Sequence, residues 1–261
     1  MSTILDKILA SKAIEVAERK RSVVIPDLEN APFFIRECLS LKKSLLASET
    51  GIISEFKRKS PSKGWIHKNA DVQKIASGYS EAGASGISIL TDFSFFGGNS
   101  SDIITARELI SCPVLRKDFV IDEYQLYEAK AMGADVVLLI AAALSTEQTH
   151  EFAKKAHELG MEVLLEVHNE FELEHINEYV NMVGVNNRNL KTFEVNTRVS
   201  FDLIDKIPDQ FVKVSESGIS KSETVIKLRK AGYKGFLMGE NFMKETNPAK
   251  ALSRFIAKIK G

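Results

Sequence analysis

PVLRKDFVIDEYQLYEAKAMGADVVLLI, residues 113–140, holds the unit from which the fold follows. A short β-rich apolar run begins at Pro113, an amphipathic stretch carries Tyr124, Leu126, Tyr127 and Ala131, and a second apolar run begins at Asp135. Gly133 stands between helix and second strand, where a left-handed residue closes a helix. The order strand, helix, glycine, strand is one βα repeat.

The same grammar extends in both directions. Apolar runs start near Ile52, Gly86, Pro113, Asp135, Glu162, Met182, Phe211 and Gly235, with start-to-start spacings of 20 to 34 residues. Each interval has room for a strand, a helix and two short loops. Helical stripes lie between them, as in Val72, Ile75, Ala76 and Tyr79 or Val225, Leu228 and Ala231, and AGASG, MGAD, ELGM and AGYKG each place a glycine before the next strand. Eight parallel units without a glycine-rich nucleotide fingerprint favour closure over an open sheet, which predicts an α/β fold of the (β/α)8 TIM-barrel type. The whole chain, 1–261, is expected to form one domain, with residues 1–47 as an N-terminal helical extension. There Ile4, Leu5, Ile8, Leu9, Ala13 and Val16 form an apolar stripe behind a Thr3/Asp6 capping box. The stripe fits either a plug at one end of the barrel or a cover over a pocket.

Bulk properties set limits on partners. Lysine plus arginine and aspartate plus glutamate both total 35, so no basic field exists to hold nucleic acid. The longest apolar run, Val136 to Leu144, is far shorter than the roughly 20 residues of a membrane-spanning helix. No signal-type stretch opens the chain, and cytoplasmic residence is the simplest expectation. Two cysteines, Cys38 and Cys112, are too few for a disulfide framework or a thiolate metal site and read as structural.

Barrels of this kind carry their chemistry at the C-terminal ends of the strands. Here those ends are polar. Strand 1 ends in Glu55, Phe56 and Lys57, strand 3 in Arg116, Lys117 and Asp118, and strand 5 carries Glu166. Strand 6 ends in Asn186, Asn187 and Arg188, and strand 7 in Ser215, Glu216, Ser217 and Gly218. Side chains alternate across a strand, so Glu55 and Lys57 share the face of Ile53, Lys117 that of Leu115, and Glu166 that of Leu164. A single charged pair of this type is as well explained by an ion pair closing the barrel end. Charges gathered at four ends cost several kcal/mol each, to order of magnitude, unless paired, and point to catalysis. Neighbouring cations and burial are expected to lower the Lys117 pKa and make it a general acid, with Glu166, between Leu165 and Val167, as a base in an apolar surround. A Schiff base at Lys57 or Lys117 is chemically open.

SESGIS after strand 7 and MGEN after strand 8 offer backbone N–H groups at helix starts and predict a phosphate site, with Ser220 and Glu223 as a capping box. No metal is expected. HELGM has Met161 where a zinc-protease helix needs a second histidine, and neither the dinucleotide nor the P-loop fingerprint is present.

The segments IISEFKRKSPSKG, LTDFSFFGG, PVLRKDFVIDEYQLYEAKAMGADVVLLI, LLEVH, GVNNRNL, SESGI and FLMGENFM, in this order and over the whole chain, resemble the indole-3-glycerol phosphate synthase family. The resemblance implies a cofactor-free barrel of tryptophan biosynthesis. It would convert 1-(2-carboxyphenylamino)-1-deoxyribulose 5-phosphate to indole-3-glycerol phosphate, carbon dioxide and water. It implies Lys117 as the ring-closure acid and Lys57, Glu55 and Glu166 as candidates for the remaining proton transfers. Glu216 and Asn186 would bind sugar hydroxyls and developing charge, Arg188 and Ser60 the anthranilate end, and Phe96 and Phe119 would wall the ring. Ser217, Gly218, Gly239 and the backbone at Glu240 would hold the phosphate. The acidic side chain of Glu240 is a departure that requires it to point outward.

Another phosphate-binding barrel, such as a phosphoribosyl isomerase, fits less well, because the anthranilate isomerase would need a cysteine at the first strand end. A phospho-ligand sensor on a decayed barrel is opposed by the intact lysines and glutamates. The expected partner is a small phosphorylated substrate, with the chain a monomer or weak homodimer. The loop from Lys57 to His67 is the expected moving part.

Overall fold

The eight apolar runs form strands β1 (Ile52–Phe56), β2 (Gly86–Leu90), β3 (Val114–Lys117), β4 (Val136–Ile140), β5 (Glu162–Val167), β6 (Met182–Asn186), β7 (Val212–Glu216) and β8 (Gly235–Met238). This is a computed structural model, and it describes residues 3–190 and 192–261. The strands pair in parallel around a closed barrel, β1 meeting both β2 and β8. Every predicted start lies within one residue of an observed one. The glycines expected at helix ends, Gly83, Gly133, Gly160 and Gly232, all have positive φ.

Alternation divides the apolar residues into two cores. Ile53, Leu115, Leu138, Leu164, Met182, Val214 and Leu237 point into the barrel. Phe56, Ile89, Val137, Leu139, Val163, Leu165 and Val185 point out, beneath the helices. The inward residues sit on the same strand faces as Glu55, Lys117, Glu166 and Glu216, so filling the barrel also aims the charged ends at its mouth.

Three helices precede β1: α1 (Ile4–Ser22), α2 (Ile25–Glu29) and α3 (Leu41–Ala47). The extension closes both ends of the barrel. From α3, Leu41 and Leu45 are fully buried against Gly86 and Gly235, at the starts of β2 and β8, where a Cβ would crowd them. From α1, Ile4, Leu5 and Ile8 face the cavity at the opposite end. The Thr3/Asp6 capping box starts α1 as expected.

One residue of the α1 stripe is charged. Lys12 is fully buried, its Nζ 2.9 Å from Asp118 Oδ1, 3.1 Å from Asp92 Oδ2 and 2.9 Å from Glu15 Oε2. Burial works to lower its pKa, but Asp118 and Asp92 outweigh it and keep the lysine charged. Asp118 in turn meets Arg116, which reaches Glu128 and donates to the Gln125 carbonyl. A buried charge network thus fastens α1 to the end of β3, next to Lys117.

Two sequence expectations do not survive. Ser220 and Glu223 form no capping box: the helix Ser222–Ala231 begins after Lys221 without a side-chain cap, and Glu223 stands too early in it to reach back to Ser220. Between β5 and β6, at the shortest spacing in the chain, the helix is reduced to a 3-10 turn, Glu170–His175, because the interval leaves no length for a full one.

Candidate active site

The fourteen candidate residues taken from the sequence all line one cavity of about 570 Å³ at the C-terminal ends of the strands. At its floor Lys117 Nζ donates to Glu166 Oε2 at 2.7 Å and to Glu216 Oε2 at 2.8 Å. Lys57 Nζ lies 2.6 Å from Glu55 Oε1 beside them. Gly184 on β6 leaves room for Glu216, since a methyl there would overlap its Oε1, and Gly239 does the same for Glu55.

The electrostatics correct the expectation for Lys117. Burial does act to lower its pKa, but the carboxylates of Glu166, Glu216 and Glu55 raise it well above the usual value, because its close neighbours are anions and not cations. Glu166 is also not in an apolar surround. Leu165 and Val167 point away into the outer core, and although burial opposes the charge, Lys117 and His168 hold the Glu166 carboxyl far below the usual carboxylate range. Glu216 goes the other way. Burial, aided by repulsion from Glu166 and Glu55, outweighs Lys117 and pushes it up to about 7.

Phe96 and Phe119 stand with ring centroids 6.0 Å apart. Ser60 Oγ is buried with no hydrogen-bond partner among the described residues. Asn186 Oδ1 accepts from the Arg188 backbone N–H at 3.0 Å, and the Arg188 guanidinium donates to the Phe193 carbonyl at 3.3 Å. Asn187, by contrast, is buried outside the cavity and ties the end of β6 to Ser215, Glu216 and Ser217.

At the far side, the chain leaves β7 through two successive left-handed residues, Ser217 (φ 65°) and Gly218 (φ 72°). A non-glycine residue in that region is uncommon and concentrates at functional sites. Gly239 precedes the four-residue helix Glu240–Met243. The part-exposed Glu240 carboxylate lies 3.8 Å from Lys63 Nζ of the loop after β1, which also lines the cavity. Among the described residues no group of three or more His, Cys, Asp and Glu side chains is arranged to hold a metal ion.

Two residues of consequence escaped the sequence reading. Lys12 lies four residues after Ile8 and four before Val16, a charge in the middle of an apolar stripe that demanded a partner. His168 lies two residues beyond Glu166, on the same face by alternation, with Glu172 four further on.

A closed parallel barrel whose mouth gathers paired lysines and glutamates around one cavity defines a (β/α)8-barrel enzyme. Comparison with known proteins narrows the class. The family model for indole-3-glycerol phosphate synthase matches residues 5–255. An indole-3-glycerol phosphate synthase of Bacteroides thetaiotaomicron is 51% identical, over 99% of this chain and 100% of its own. One from Laribacter hongkongensis is 41% identical, over 98% of this chain and 100% of its own. The chain belongs to the indole-3-glycerol phosphate synthase family, decarboxylating lyases of tryptophan biosynthesis. Among solved structures, one of the tryptophan synthase complex from Pyrococcus furiosus superimposes with a TM-score of 0.61 at 18% identity, over 81% of this chain and 98% of that one. KGPDC from Streptococcus mutans does so with a TM-score of 0.62 at 13% identity, over 80% of this chain and 96% of that one. These two share the fold.

Proposed function

We propose that in the family's reaction Lys117 is the ring-closure acid, Lys57 the acid for the departing hydroxyl and Glu216 the base. The observation that carries this reading is the Lys117 ammonium held between Glu166 and Glu216 at the cavity floor. As the carboxyl-bearing ring carbon attacks the ribulose carbonyl, Lys117 gives its proton to the carbonyl oxygen. A developing alkoxide is more basic than an amine, so a lysine kept charged by its carboxylates still transfers the proton downhill. Carbon dioxide then leaves, its bonding electrons returning to the ring. Lys57 protonates the hydroxyl, which departs as water, and Glu216 takes a proton from the methylene carbon next to the ring nitrogen.

The protons balance. Glu216 passes the one it has taken to the neutral Lys117 across 2.8 Å. Lys57, whose side chain is 17% exposed, regains its proton from solvent, matching the single proton that the reaction consumes with a carboxylate substrate. Glu55 holds Lys57 in place, and Asn186 holds the sugar hydroxyls. Phe96 and Phe119 clasp the anthranilate ring, with Ser60 and Arg188 at its carboxylate. The backbone at Ser217, Gly218, Gly239 and Glu240 receives the phosphate, which makes a small phosphorylated molecule the substrate. Holding the folded substrate with ring carbon over carbonyl supplies much of the remaining acceleration.

In this reading residues 1–47 and the barrel work as one domain, α1 completing the cavity. Cytoplasmic residence and a monomeric or weakly dimeric state belong to the same proposal. Support comes from the two unpaired cysteines and from the lack, among the described residues, of any helix long and apolar enough to cross a membrane. The test is the appearance of indole fluorescence when purified protein meets the carboxyphenylamino substrate. Absence of signal from folded protein would refute the activity.

A further inference from the structure

Glu166 and Glu216 present the same chemistry to Lys117: each places one carboxylate oxygen on its Nζ, at 2.7 and 2.8 Å. Their other oxygens differ. Glu166 Oε1 has the His168 ring as its neighbour, 3.4 Å from Nε2 in an ion-pair contact that is not a hydrogen bond, whereas Glu216 Oε1 is buried with no hydrogen-bond partner among the described residues. His168 itself does not line the cavity. Its ring stands behind Glu166, with Nδ1 3.1 Å from Glu172 Oε2. The Glu172 carboxylate is fixed in turn by the His168 backbone N–H at 2.7 Å and by Asn169 Nδ2 at 2.6 Å. The 3-10 turn that replaces the helix after β5 is what folds Glu172 back onto His168.

We propose that His168, clamped by Glu172, is a positioning residue that makes two equivalent carboxylates unequal, committing Glu166 to a permanent ion pair with Lys117 and leaving Glu216 to exchange the proton. The inference rests on the reading of Glu216 as the base. Although burial acts against its charge, Glu166 and Glu172 raise the His168 pKa to about 10, so the ring is a cation throughout the working range. Facing the carboxylate pair are Lys117 from β3 and Glu55 from β1; facing His168 are Glu166 and Glu172. Removing the one cation on the outer side of the pair leaves its shared negative charge less compensated. The pair then takes up a proton at higher pH, and that proton is divided between the two carboxylates.

The experiment measures kcat against pH for the full-length wild type and for His168→Gln, Glu172→Gln, His168→Arg and Glu216→Gln. The expected result is an acid limb shifted upward by about one pH unit in His168→Gln, which lowers turnover about fivefold at pH 7 and much less at pH 9, with KM little changed. Glu172→Gln shifts the limb the same way by less, and His168→Arg, which keeps the cation, restores it. A merely structural histidine would lower turnover equally at all pH values and would not be rescued by arginine. If His168→Gln does not fold, Glu172→Gln carries the test. An unmoved limb in the folded His168 and Glu172 variants, together with loss of the limb in Glu216→Gln, overturns this inference alone. A wild-type limb in Glu216→Gln overturns the assignment of the base, and the role of His168 with it.

Discussion

Glu216 approaches the Lys117 ammonium as closely as Glu166 does, 2.8 against 2.7 Å, yet their surroundings shift the two carboxyls in opposite directions, Glu166 down and Glu216 up. One lysine therefore has a fixed counter-ion on one side and a proton acceptor on the other. Acid and base of the proposed reaction are in direct contact, and several tests follow from that.

Replacing Lys117 with alanine is expected to lower kcat by about 10³-fold or more, the upper part of the range for general acid catalysis, while substrate still binds. Single-turnover kinetics and equilibrium binding by fluorescence separate the two effects. Wild-type turnover in the variant would end the assignment.

Wild-type kcat should rise with pH through about 7, because Glu216 accepts a proton only when ionised and burial with neighbouring carboxylates has pushed it up to about 7. Glu216→Gln should show low, flat turnover across pH 6 to 8. A flat wild-type profile in that range would place the base elsewhere.

Gly184→Ala puts a methyl where Glu216 Oε1 lies and 3.2 Å from Leu164 Cδ1. The carboxylate must shift, which disturbs the Oε2 contact with Lys117. Turnover is expected to fall tenfold or more, with a stability loss of about 1–3 kcal/mol typical of overpacking. Unchanged kcat in a folded variant would mean that the Lys117–Glu216 contact is dispensable.

Lys12→Met leaves Asp118 and Asp92 buried without their cation. A stability loss of about 3–5 kcal/mol is expected in urea unfolding, as for other broken buried pairs. KM should rise as well, because α1 lends Ile4, Leu5 and Ile8 to the cavity. Stability and KM both at wild-type values would show that α1 is held by its apolar stripe alone.

Acid should loosen the same joint. Burial opposes the Asp118 charge, but Arg116 and Lys12 outweigh it and hold the carboxyl down at about 2, below the value of about 3.9 for an unfolded chain. A depressed pKa contributes stability that is complete above the unfolded value and is lost as pH falls from about 4 through about 2. The contribution is about 2–3 kcal/mol. Stability measured across that window should fall less steeply in Asp118→Asn than in wild type, and equal slopes would remove Asp118 from the account.

The barrel was legible because its signals are local and repeat. Alternation placed Ile53, Leu115 and Leu164 inside and, from the same parity, aimed Glu55, Lys117 and Glu166 at the mouth. What alternation does not carry is distance between strands. The sequence names Lys117 and the carboxylates of Glu55, Glu166 and Glu216 but not that the three close around the lysine from β1, β5 and β7, and that closeness turns its pKa upward. His168 was hidden for a related reason: its partner Glu172 depends on the interval after β5 being too short for an α-helix. The missing Ser220–Glu223 cap reflects a helix start displaced by one residue, a scale that residue pattern does not resolve.

The hydrophobic seat of α3 has a consequence for the order of events on the ribosome. Leu45 emerges early, but the floor it rests on includes Gly235, in the last strand to be synthesised. Throughout most of translation, therefore, Leu45 lacks part of its native floor, although Leu41 can already meet Gly86 of β2. Complete docking of α3 waits for the final strand to close the ring, which makes burial of Leu45 a late reporter of completed folding. A contact spanning so much of the chain also adds to the non-local pairing that slows folding.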